Sequence, residues 1–179
     1  MINEFSARVK SSNNNARVAF ITLLVLCGAT VIVYSAIPLY KGLVGLLAIA
    51  FLTAAILIYT RYMAPTYYYD ITHDYEGTPI FVVRQVVGRR ETTFSRITLS
   101  DIRDITVEDS TARRAHKTEY GYRKYVYTPT LSPEKTCRIT VRNRYESAEI
   151  VIESGDDFAN LLRSYVNEAK ASRKSFDDE

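Results

Sequence analysis

Followed for its apolar and polar positions, the chain divides into two unlike parts. Val18–Leu39 and Gly42–Thr60 are apolar runs without a charge, with Pro38-Leu39-Tyr40-Lys41 at the turn between them. Each meets the roughly 20 apolar residues that an α-helix needs to cross a hydrocarbon core about 30 Å thick. So short a turn makes the helices antiparallel neighbours, and residues 16–62 are predicted to form a transmembrane helical hairpin (18–39 and 42–60). The apolar region of a signal peptide runs to about 7–15 residues, and no second span would follow it at once.

From Pro65 the pattern changes to period two, rich in β-branched and aromatic residues. Strands are predicted at Tyr67–Thr72, Ile80–Val87, Glu91–Thr98, around a tight bend into Ile102–Val107, then at Arg123–Leu131, Cys137–Val141 and Ala148–Glu153. Asp109–Gly121 is polar and basic and reads as a long loop. Phe158, Leu161, Leu162, Tyr165, Val166 and Ala169 then recur at helical spacing on one stripe. Ser154 or Asp156 can cap that helix, and acidic residues in its first turn suit the helix dipole. Residues 65–171 are therefore expected to be a mainly-β domain ending in an amphipathic helix, with 172–179 a charged tail. Residues 1–15 are polar, with the low-complexity run Ser11-Ser12-Asn13-Asn14-Asn15, and are expected to be a flexible cytoplasmic N-terminus; Asn15 is placed to cap the first helix.

Charge sharpens this picture. The net charge is +3, but Arg8, Lys10, Arg17, Lys41 and Arg61 stand against Glu4, a balance of +4, which leaves −1 for the rest. The domain is thus near neutral, and a nucleic-acid footprint is not supported. Three basic residues precede the first helix and Arg61 follows the second, while Lys41 alone lies in the turn. Basic residues are retained on the cytoplasmic side, so a cell-membrane protein with two spans and both termini cytoplasmic is expected. Tyr34 and Tyr40 can sit at the outer interface, and Tyr59 and Tyr62 at the inner one. Gly45, Ala48, Ala50 and Ala54 give the second helix small residues that let backbones approach. Their plain use is packing on the first helix, and homo-oligomerisation through the hairpin is the sharper one. No ionisable residue lies in either span, which argues against a transporter.

Candidate chemistry is sparse. His73 and His116 lack neighbours at metal spacing, and Cys27 and Cys137 suggest neither a disulfide nor a metal site. No nucleophile elbow, phosphate loop or zinc signature is present. No catalysis and no cofactor are expected; the alternative is a membrane-associated enzyme whose active site is not visible in sequence. The densest candidate for contact with an anionic surface or an acidic partner is Arg113, Arg114, His116 and Lys117, continued by Arg123 and Lys124. An ordinary solvated loop would read the same way. The chain has 14 tyrosines and no tryptophan; Tyr67-Tyr68-Tyr69 and Tyr120, Tyr122, Tyr125, Tyr127 form two groups. Tyrosine suits both strand packing and binding surfaces, and on period two half of each group should be core.

Three stretches carry a family likeness: Ile97-Thr98-Leu99-Ser100-Asp101-Ile102-Arg103-Asp104-Ile105, the pair Cys137–Val141 and Ala148–Glu153, and the terminal Gly155-Asp156-Asp157-Phe158-Ala159-Asn160-Leu161-Leu162. Together they resemble the pleckstrin-homology-like (PH-like) domains of bacterial membrane proteins, over roughly 65–171. The resemblance implies a partly open β-barrel of about seven antiparallel strands in two near-orthogonal sheets, with the C-terminal helix plugging one end. It brings no shared catalytic residues. Members that bind phosphoinositides use basic residues between their first two strands, where this chain has the acidic Asp74-Tyr75-Glu76-Gly77-Thr78. What the resemblance implies is an anchored interaction module that binds a protein or a membrane surface.

Overall fold

The computed structural model describes residues 4–10, 14–36, 41–115, 118, 120–143 and 147–177. Helices α1 (Asn15–Ala36) and α2 (Lys41–Ile58), the latter continued by a π-helical turn at Tyr59–Met63, are long and apolar enough to cross a membrane. They pack side by side. Gly45 faces the Tyr34 ring, Cys27 Sγ lies 3.5 Å from the carbonyl of Ala48, and Phe20 meets Tyr59 at 5.8 Å between ring centroids. Most of the turn expected between them, residues 37–40, falls outside the described residues.

Two four-stranded sheets make up the domain. The first holds β1 (Phe5–Lys10), β2 (Thr66–His73), β3 (Pro79–Val87) and β4 (Arg90–Thr98), antiparallel and in that order. Strand β1 departs from the expectation of a flexible N-terminus. Phe5, Ala7 and Val9 alternate with Ser6 and Arg8, and the strand lies along β2 from Phe5 opposite Ile71 to Lys10 opposite Thr66. The chain therefore enters α1 from the same sheet to which it returns after α2.

The second sheet holds β5 (Ile102–Asp109), β6 (Arg123–Tyr127), β7 (Lys135–Arg142) and β8 (Ser147–Ile152), in the order β5-β7-β8-β6. It departs from the expected all-antiparallel set of seven strands. There are eight strands among the described residues, β6 pairs with β8 in parallel, and the two sheets do not close into a barrel. The topology explains the stretch expected to be a loop. Strands β5 and β6 run the same way at opposite edges of one sheet, and parallel strands need a crossover of a dozen or more residues. Residues 110–122 are that crossover, and it begins with the short helix α3 (Ser110–Ala115). Strand β6 stops at Tyr127 rather than Leu131; Pro129, which lacks an N–H, cannot extend the ladder.

The final helix α4 (Asp156–Asp177) runs through most of the segment expected to be a tail. Its Ala159, Leu162, Val166 and Ala169 are buried against both sheets, together with Tyr69, Phe81, Ile139 and Ile152. Full burial of a leucine side chain such as Leu162 contributes about 1.5–3 kcal/mol. Phe158 sits among Phe5, Tyr69 and Phe81, with ring centroids 5.9, 6.2 and 6.3 Å away. Strand β1 thus supplies part of the surface on which the last helix docks.

Candidate functional site

Three polar or open features stand out once the core is removed from consideration. The first is the seam between edge strands β4 and β6, where the two sheets face each other without a strand-to-strand ladder. Sequence makes this seam in two ways. Opposite Val83 stands Ser95, but opposite Arg84 stands Thr93, so Phe94 is the extra residue of a β-bulge. A bulge at a sheet edge re-aims its side chain, and Phe94 stacks on Tyr127 at 5.4 Å, with Tyr127 stacked in turn on Tyr125 at 6.3 Å. On the inner side, Tyr69 spans the gap. Its hydroxyl donates to the carbonyl of Tyr127 (2.7 Å) and accepts from the N–H of Glu153 (3.3 Å). Burial holds this phenol firmly protonated.

The seam opens into a cleft of about 350 Å³. Ile97, Val141, Ala148 and Ile150 floor it, Phe94, Tyr125 and Tyr127 wall it, and Ser95, Arg96, Thr98, Asp101 and Asn143 rim it. More of its exposed lining is polar than apolar.

The second feature is a groove of about 650 Å³ on the outer face of the first sheet. There Asp70, 6 % exposed, accepts from Ser6 and from Arg84, and Arg84 also reaches Glu91 at 2.6 Å. The carboxylates of Asp70 and Glu91 raise the pKa of Arg84. Arg84 further covers the Tyr68 ring at 5.7 Å. Asp70, Arg84 and Glu91 satisfy one another, and with Ser6 they form a structural network linking β1, β2, β3 and β4.

No protein-family model matches this chain, and no curated protein matches it in sequence. Its chemistry has to be read from the geometry.

The third feature lies under the crossover, on the outer face of the second sheet. Arg138, 3 % exposed, makes a two-pronged contact with Glu108 (2.9 and 2.6 Å) and a third bond to Glu149 (2.7 Å). Thr118 of the crossover donates to Glu149 at 3.0 Å. Burial works against the charge of Arg138, but the hydrogen bonds and charges of the two glutamates outweigh it and raise its pKa. Thr118 thus joins the crossover to a buried ionic cluster.

This changes the standing of the basic candidates. The side chains of Arg113 and Arg114 in α3, and the whole of His116 and Lys117, lie outside the described residues. Arg123 and Lys124 are exposed at the start of β6, two and one residues before Tyr125. Of the small residues in α2, Gly45 and Ala48 face α1, Ala54 is half-buried, and Ala50 is exposed. The first tyrosine group divides as period two requires, whereas in the second none of Tyr120, Tyr122, Tyr125 and Tyr127 is fully buried, because Tyr120 and Tyr122 precede the strand and Tyr125 and Tyr127 face the open seam. Tyr67 and Tyr69 are core, Tyr68 faces out under Arg84, and Tyr125 and Tyr127 line the seam. Among the described residues, no group of three or more His, Cys, Asp or Glu could hold a metal ion. Cys137 is buried, which pushes its thiol up to about 12.

Sequence reading missed the bulge at Phe94, because a bulge becomes visible only when both strands are registered. It also missed Arg163. That residue lies off the apolar stripe of α4, yet it donates twice to the carbonyl of Ile105, at 2.6 and 3.2 Å, and so caps the free edge of β5.

Proposed function

We propose that the chain is a membrane-anchored interaction module of the bacterial PH-like type. Its hairpin spans the cell membrane, and its domain, with both termini, lies on the cytoplasmic face. The membrane reading rests on exposure as well as composition. Side chains such as Ile32, Leu46, Ile49 and Leu57 are more than half exposed, and only Ala16 and Ala55 of the two helices are buried. Surface of that kind needs a hydrocarbon solvent. The pairing of β1 with β2 supports a single side for the N-terminus and the domain, and the excess of Arg and Lys at that end supports the cytoplasmic one.

The bulge that turns Phe94 onto Tyr127 carries the binding assignment. Behind it, Ser95–Thr98 offer a short free strand edge, and Phe94, Tyr125 and Tyr127 present aromatic rings to the cleft beside them. A short extended segment of a partner protein fits both, by adding a strand beside β4. The charged residues of the rim are Arg96 and Asp101, and Arg96 favours an acidic residue beside an apolar anchor. Tyr67, Tyr69 and Cys137 are shifted toward firmer protonation and Asp156 toward firmer ionisation, so none of these is poised to exchange a proton near neutrality.

A peptide-display selection against the full chain in lipid nanodiscs tests the reading. Recovered peptides should share an apolar residue beside acidic ones. Arg96→Glu should weaken their binding about tenfold, a loss of roughly 1.4 kcal/mol, and Phe94→Ala should weaken it too. Peptides that bind both variants as well as the parent would remove the seam from consideration.

A further inference from the structure

The register of the first sheet places the β3–β4 hairpin at the level of the membrane. Lys10 stands opposite Thr66, Thr66 opposite Val86, and Val86 opposite Glu91, so one row crosses all four strands. At this row β1 leaves toward α1, and β2 arrives from α2. The β3–β4 hairpin continues past it by the pair Val87 and Arg90 and the turn Gly88-Arg89. A second observation fixes the level independently. Gln85, two residues before Val87, borders the same cleft as Leu57, Ile58, Thr60, Arg61 and Tyr62 at the end of α2. The tip beyond Gln85 therefore lies beside the last turn of the second apolar helix.

The tip has the chemistry of a bilayer surface contact. Gly88 takes φ +62, the left-handed conformation that a two-residue turn with glycine first requires. Val87 is 41 % exposed, an apolar side chain at the end of a sheet. Arg89 and Arg90 are exposed, and neither forms an ion pair with a described residue. The nearest acid in sequence, Glu91, is engaged by Arg84. Four residues separate Arg61, the first charge after the apolar run, from Thr66. The tip thus falls within about 10 Å of the interface, the range over which anionic headgroups act at ordinary ionic strength.

We infer that the β3–β4 hairpin tip is a lipid-binding site: Val87 enters the interfacial layer while Arg89 and Arg90 bind the phosphates of anionic phospholipids in the membrane that carries the hairpin. A third contact, made by the β3–β4 end of the sheet, adds to the two spans and fixes the domain's orientation. This assignment is independent of the seam, which lies on the free edge of the same β4 strand.

The absence of tryptophan from the chain supplies the test. Val87→Trp places a single tryptophan at the tip of the full-length protein, and Tyr75→Trp places one in the exposed β2–β3 turn at the other end of the sheet. Both proteins are reconstituted in vesicles of phosphatidylcholine and in equimolar phosphatidylcholine and phosphatidylglycerol, with brominated lipid as quencher. The tip tryptophan should be quenched, with blue-shifted emission, more strongly in the anionic vesicles, and Arg89→Ser with Arg90→Ser in the same chain should abolish the difference. The Tyr75→Trp protein should show water-like emission in both. A tip tryptophan that is unquenched in both vesicles overturns the assignment. So does blue-shifted emission that persists in lipid-free detergent, because protein rather than lipid would then cover the tip.

Discussion

The hydroxyl of Tyr69 in the first sheet donates to the backbone carbonyl of Tyr127 in the second at 2.7 Å. Through the same oxygen Tyr69 receives the N–H of Glu153, so one side chain ties β2 to the points where β6 and β8 end. Tyr69→Phe keeps the ring in the core but leaves a part-buried carbonyl and a part-buried amide without this partner. The expected loss is about 1–3 kcal/mol, measured as a lower denaturation midpoint of the full chain in detergent with an unchanged slope. A loss no larger than that of Tyr68→Phe, whose ring faces outward, would show that the bridge does not hold the sheets.

Arg138 gives a prediction of the opposite kind. Replacing it with methionine strands Glu108 and Glu149 beneath the crossover, and breaking a buried pair in this way typically costs about 3–5 kcal/mol. Changing all three residues to apolar ones should restore most of that loss. If the triple variant is as unstable as Arg138→Met alone, the cluster contributes more than charge balance.

Alkaline titration reads the core directly. Cys137 has an ordinary value of 9.0 and is pushed up to about 12 by burial, and burial also raises Tyr67 and Tyr69. These groups stay neutral in the fold while the unfolded chain loses their protons. Their contribution is complete below about pH 9 and fades as the pH climbs toward 12. Each group steepens the decline by up to about 1.4 kcal/mol per pH unit in that window. Cys137→Val should flatten the decline between pH 9 and 12 and leave the profile near neutrality unchanged in shape. An equally steep decline would mean that the thiol is reached by solvent before unfolding.

What could be read from the chain followed the length of each pattern. The apolar helices and the stripe from Phe158 to Ala169 span many periods, and they appear where the pattern put them. Strand β1 offers only Phe5, Ala7 and Val9 beside a polar serine and asparagine run, and its partner β2 lies beyond the whole hairpin. Nothing local reports such a pairing. The crossover at 110–122 read as a loop because its reason, the parallel placement of β6 beside β8, is a property of the sheet. The candidate site divided similarly. Tyr125 and Tyr127 were visible as a tyrosine group, while Phe94 needed the register of two strands to be seen as a bulge.

The most direct measurement of the account concerns the sidedness of its two ends. In a chain carrying Cys27→Ala, with buried Cys137 left in place, single cysteines are introduced as Glu4→Cys, Lys41→Cys and Ser172→Cys, all at exposed positions. Intact cells are treated with a membrane-impermeant maleimide. The anchored cytoplasmic domain closed by its own N-terminal strand predicts labelling at position 41 alone, with positions 4 and 172 labelled only after lysis. Labelling of position 4 or 172 in intact cells, or protection of position 41, would contradict it.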